Sequence, residues 1–195
     1  GADTLDFNAA VGAATLDAGT GADSFNFAAA VGSASIDAGA DADTLTFTGV
    51  VSGATISGLD SSGDQASFSA QTSAVFSSIV TGAQVSFGSG VDAGTFNGTI
   101  GAGSIFGGAG ADTLSCLGAV TSGATIDQGT GNDSVFFGTA SELTGTTLTG
   151  SGADTFNLQG ANTAVFGALS TAASQVSFGA NADQSTFNGA IGAGS

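Results

Sequence analysis

Sixteen carboxylates and no Lys, Arg or His side chain make up the charged complement of this 195-residue chain. Its titratable side chains are therefore Asp, a single Glu (Glu142) and one Cys. Many of the Asp residues recur at a fixed place, just after Gly-rich turns. Such turns are AGTGAD (18–23), GGAGAD (107–112), QGTGND (128–133), GSGAD (150–154) and Gly88-Ser89-Gly90-Val91-Asp92. Gly allows left-handed and crowded backbone that can turn carbonyl oxygens inward. Carboxylate and carbonyl oxygens are the donors that a hard cation such as calcium prefers. The candidate metal ligands are Asp3, Asp23, Asp43, Asp64, Asp92, Asp112, Asp133 and Asp154, with calcium as the expected cofactor. Asp17, Asp37 and Asp127 each lie six residues ahead of one of these and can assist.

Other chemistry is poorly supplied. Without His or Lys there is no Ser-His-Asp triad, no Cys-His pair and no Schiff-base amine. A carboxylate pair such as Asp41 and Asp43 has the atoms for glycoside hydrolysis. Nothing in the sequence separates their acidities, and both sit at repeat positions, so the chain is not expected to be an enzyme. The net charge of −16 leaves no means of neutralising phosphates, which argues against nucleic acid and anionic lipid as partners. No apolar run approaches the roughly 20 residues of a membrane span, so membrane insertion is not expected. Cys116 has no partner cysteine in the chain and falls where neighbouring repeats carry Phe. It is expected to be a small buried hydrophobe.

The elements that carry these turns emerge from internal repeats. Residues 1–20, 21–40 and 41–60 align in register. Phe7, Phe27 and Phe47 share one column. Val11, Val31 and Val51 share a second, and Leu16, Ile36 and Ile56 a third. Each twenty contains two short stretches with period-two alternation, such as Thr4-Leu5-Asp6-Phe7, separated by Gly-rich turns. That pattern predicts strands. The third column continues through Phe76, Phe96, Cys116, Phe137, Leu158 and Phe178 at steps of 20 or 21 residues.

Two strands and two turns per twenty residues predict an all-β, parallel β-solenoid over the whole of 1–195. Its coils bury their apolar faces only by stacking. At about 4.8 Å per coil the rod is roughly 45–50 Å long. Three strands in coils of about 30 residues are the alternative, favoured by a longer repeat. Residues 1–23 match 90–112 at an offset of 89, and 84–104 match 175–195 at 91. A super-repeat of about 90 residues holds four and a half two-strand coils, so equivalent segments must exchange faces once per super-repeat. The chain reads as an internal piece of a longer repetitive protein.

In the two-strand coil the eight Asp residues form ladders on opposite edges. Backbones about 4.8 Å apart place neighbouring carboxylates where they repel by roughly 1 kcal/mol in water, or about 3–4 kcal/mol at an effective dielectric of 20. A cation between coils is the simplest relief.

The turns resemble the nonapeptide G-G-x-G-x-D-x-U-x of the RTX family of secreted calcium-binding β-rolls. Residues 107–115 match it at every position. The departures are that only one side of each coil carries the motif, that Asp41 replaces a Gly, and that Ser62 and Asn181 stand where Gly is expected ahead of Asp64 and Asp183. The Gly/Ala/Thr-rich acidic repeats also resemble bacterial surface-layer proteins and the giant cell-surface and motility proteins of cyanobacteria. These resemblances imply an extracellular or cell-surface location, calcium-dependent ordering, and end-to-end or lateral self-association into a layer, sheath or filament, with other cell-surface components as possible contacts. A calcium-stiffened adhesin spacer is the alternative function. Ice binding through turns of the QGTGND form is less favoured, because other turns vary its Thr and Asn.

Overall fold

Successive coils are joined by parallel strand pairing into two facing sheets, seen in a computed structural model that describes residues 1–79, 82–138, 143, 145–159, 163–169, 174–179 and 184–187. The first sheet has 11 strands and the second 9. The chain alternates between them. Thr4–Phe7 lies in the first sheet and pairs with Ser24–Phe27, while Thr15–Asp17 lies in the second and pairs with Ser35–Asp37. The path continues through Gln184–Phe187 in the first sheet and Gln175–Phe178 in the second. Among the described residues there is no helix. The coil therefore has two strands, and the three-strand alternative is set aside.

The alternation in the sequence is the cause. In Thr44–Phe47 the Leu45 and Phe47 side chains are buried, and Thr44 and Thr46 face outward. Short strands of this kind cannot bury a face alone, so each coil uses its neighbours as core. The predicted column from Leu16 to Phe178 is a continuous line of register partners. Cys116 sits in it between Phe96 and Phe137. It is fully buried, which pushes its thiol pKa up to about 12.

A second line, Phe7, Phe27, Phe47, Phe68 and Phe87, forms an aromatic stack. Ring centroids are 4.7, 4.6, 4.6 and 5.4 Å apart with interplanar angles of 7°, 2°, 8° and 17°. The strand spacing imposes this pitch on rings that would otherwise favour offset or edge-on contacts. Gly94 gives the stack room to end, since a Cβ there would lie 2.8 Å from Cζ of Phe87.

The super-repeat behaves as its half-coil requires. Thr4–Phe7 is in the first sheet, and its equivalent Ala93–Phe96 is in the second. Gln84–Ser86 and Gln175–Phe178 show the same exchange. The two corners of a coil exchange with it. Val11, Val31 and Val51 bridge one another on the edge leading into the second sheet. Farther along the rod, Ile79, Ile100 and Val120 do so on the opposite edge.

Candidate functional site

The ladder Asp residues occupy the corner opposite each apolar one. Asp3, Asp23, Asp43 and Asp64 precede strands of the first sheet, and Asp92, Asp112, Asp133 and Asp154 precede strands of the second. The two predicted ladders therefore exist, on opposite edges. The first column continues, without carboxylates, through Ala83, Gly103 and Ala124. The second is preceded by Val51 and Thr72.

The ladders are hydrogen-bonded chains. The backbone N–H of Asp3 donates to Oδ1 of Asp23 at 2.6 Å, that of Asp23 to Asp43 at 2.7 Å, and that of Asp43 to Asp64 at 2.8 Å. On the other edge the N–H of Thr72 donates to Asp92 at 2.5 Å, that of Asp92 to Asp112 at 2.8 Å, that of Asp112 to Asp133 at 2.8 Å, and that of Asp133 to Asp154 at 3.2 Å. Each of these ladder carboxylates except that of Asp3 thus reaches back one coil and caps a peptide group at the junction of turn and strand. A buried N–H without such an acceptor would be costly.

Only Oδ1 is used in this way. Asp23, Asp43, Asp92, Asp112, Asp133 and Asp154 are no more than 2% exposed, and the Oδ2 of each is buried without a hydrogen-bond partner. Asp64 differs because its turn gives Oδ2 the N–H of Ser61 at 2.6 Å. Asp3 is exposed.

Burial raises the pKa of Asp43, Asp64, Asp92, Asp112 and Asp154, opposed in each case by the backbone hydrogen bond to Oδ1. Asp133 is raised to about 6 by burial, with the charges of Asp112 and Asp154 adding to it. Among the described residues no group of three or more acidic, Cys or His side chains is gathered closely enough to hold a metal by itself. A cation in a ladder would have to combine an orphaned Oδ2 with other oxygens, such as backbone carbonyls.

The Gly turns are built for close approach. A Cβ on Gly110, Gly131 or Gly152 would run into the carbonyl oxygen of Gly90, Gly110 or Gly131 respectively, one coil back. All three also have φ between +143° and +147°. Asp41, where the sequence departs from Gly, takes the left-handed conformation anyway at φ 82°. Its Oδ2 accepts the N–H of Gly21 at 3.1 Å, and its own N–H donates to Oγ of Ser61 at 3.1 Å. That is a tolerable strain for Asp.

The assisting residues are less engaged. Asp17 and Asp37 are register partners on an outer face and are exposed. Asp37 and Asp127 each accept an N–H from the Gly two residues on. Asp183 lies outside the described residues. Among the described residues, Gln128 is a buried polar side chain that the sequence did not single out and that lacks partners: at 1% exposure, neither of its amide atoms is hydrogen-bonded. The available signal was its parity, which points it inward from Thr125–Gly131, in register after Phe87 and Gly107.

In comparisons with known proteins, no family model, curated protein or solved structure matches the chain.

Proposed function

We propose that this chain is a structural segment of an extracellular, self-assembling surface layer, sheath or filament, stiffened by calcium at its Asp ladders. The observation that carries this reading is the set of buried carboxylates with an orphaned Oδ2, repeated from coil to coil in a chain without cationic side chains. Buried anions need compensation by a proton, a partner or a metal. The resemblance of the turns to RTX repeats, strongest at residues 107–115, favours calcium.

Shape and composition support the structural role. A stacked parallel solenoid is a natural spacer and building block. The outward-facing positions are largely Thr, Ser and Asn. No constellation for covalent or acid–base catalysis is proposed. A calcium-stiffened spacer in a long adhesin uses the same rod and differs only in what lies beyond it.

The test is a calcium titration of the chelator-stripped chain, followed by circular dichroism and melting. Light scattering or electron microscopy of the same samples follows assembly. Calcium is expected to raise the melting temperature well beyond sodium at equal ionic strength and to promote ordered assemblies. Equal effects of calcium and sodium would remove the metal from the proposal. Dispersed monomers under all conditions would remove self-assembly.

A further inference from the structure

We propose that Gln128 and Asp154 form a cation seat between adjacent coils, built from an amide oxygen and a carboxylate oxygen and suited to a single hard cation of the calcium class. Gln128 stands inside the rod on Thr125–Gly131, next to Gly150 of the following coil. A Cβ on Gly150 would lie 2.5 Å from Oδ2 of Asp154 and 3.1 Å from Oε1 of Gln128. The missing side chain keeps clear a space on which two oxygens converge. Both residues are buried, at 1% and 0% exposure. Oδ2 of Asp154 and both amide atoms of Gln128 lack partners, whereas Oδ1 of Asp154 already accepts the N–H of Asp133.

Two acceptors facing one gap repel unless something positive stands between them. The chain offers no cationic side chain for that place. The surrounding field favours a cation over a neutral occupant, because the charge of Asp127 acts on Asp154 and that of Asp154 on Asp133. Amide and carboxylate oxygens are ligands that calcium accepts, and backbone carbonyls of the turn can complete its shell.

The seat is distinct from the repeated turn. The preceding coils have Phe87 and Gly107 in register with Gln128, and neither has a side-chain oxygen. The corresponding inward places before the ladder turns on the other edge include Ala18 and Ala38. Residue type, burial and the adjacent Gly coincide only at Gln128 among these positions.

The proposal rests on the calcium reading for its choice of ion, and the test separates the two. Calcium is titrated calorimetrically into the chelator-stripped 195-residue chain and into Gln128→Met, Asp154→Asn and Asp112→Asn. Gln128→Met keeps the length and buried volume but removes the amide oxygen. Asp154→Asn keeps an acceptor for the Asp133 N–H, so a folded variant is available if the first misfolds. Gln128→Met and Asp154→Asn are each expected to lose one equivalent of bound calcium that Asp112→Asn retains at this seat. A Gln128→Met isotherm superimposable on wild type overturns the seat, and if Asp112→Asn alone loses calcium, the ladder reading survives without it. A lower melting temperature for Gln128→Met with unchanged calcium binding also overturns it, showing an amide turned to donate its N–H to Asp154. Absence of binding to wild type overturns both readings.

Discussion

Replacing Asp112 separates the two jobs assigned to a ladder carboxylate. Its Oδ1 accepts the N–H of Asp92 at 2.8 Å, and Asp92 is fully buried. Asp112→Ala strands that N–H at a cost of about 1–3 kcal/mol. Asp112→Asn keeps an oxygen in the same place and removes the charge. It also relieves repulsion from Asp92, which helps to raise the pKa of Asp112. Neighbouring charges at the coil spacing repel by up to about 3–4 kcal/mol at an effective dielectric of 20. The new amide N–H groups need acceptors in a buried corner, which offsets part of that gain.

In chelator, Asp112→Asn should therefore melt at or above wild type, and Asp112→Ala should melt below both. For a chain of this size about 1 kcal/mol corresponds to about 2–4 °C, so the alanine variant should lose several degrees. If calcium binds the ladders as proposed, the order should change in calcium, because the wild type offers a ligand set that neither variant has in full. The assay is thermal unfolding followed by β-sheet circular dichroism at constant ionic strength. An alanine variant as stable as wild type in chelator would refute the capping role. An asparagine variant that loses as much as alanine would show that the charge, and not the hydrogen bond, holds the corner.

Other perturbations test different parts of the rod. In chelator, the contribution of Asp133 to stability should be full below about 3.8 and be lost as pH rises through about 6, since burial raises its pKa from 3.8 to about 6. A group with a raised folded pKa favours the folded state below its unfolded value and loses that contribution above its folded one. The shift from 3.8 to about 6 corresponds to roughly 2–3 kcal/mol, and a pH series of melts that rises toward neutrality would contradict this. Phe47→Ala removes the middle of the aromatic stack between Phe27 and Phe68 and should cost about 3–5 kcal/mol by denaturant titration. Cys116, buried with its thiol pushed up to about 12, should not react with a thiol reagent until the rod unfolds, and labelling of the native chain would show that the column opens there.

The rod itself was legible because its signal is redundant. Leu16, Ile36, Ile56 and their successors repeat an inward position every 20 or 21 residues, and a register error would turn all of them outward. The direction of the Asp side chains was not legible. A turn Asp can bond its own loop, solvent, a metal or the next coil, and spacing alone does not choose among them. The backbone decides, by leaving the N–H of Asp23, Asp43, Asp92, Asp112 and Asp133 in need of an acceptor one coil on. Asp41 breaks the Gly pattern of the turns, and only the structure shows that the left-handed backbone is kept there and that its side chain bonds Gly21. Gln128 was hidden by its resemblance to an outward-facing turn residue, and only the Gly150 opposite it explains how a buried amide fits.

The half-coil exchange has a physical use. Every coil needs corners, and here an apolar one, such as Val31 or Ile100, stands across from an Asp corner. Because the two strands of a coil are alike in length and pattern, the corners can change edges without disturbing the core. The exchange falls where Asp64 ends one ladder and Thr72 leads into the ladder that begins at Asp92. A single unbroken ladder would add each new carboxylate to a lengthening line of like charge. Splitting it sets the last carboxylate of one half and the first of the next on opposite edges, farther apart than the roughly 4.8 Å of ladder neighbours, and so weakens their repulsion. The awkward remainder in the super-repeat thus limits self-repulsion in a chain that has no cationic side chain to relieve it.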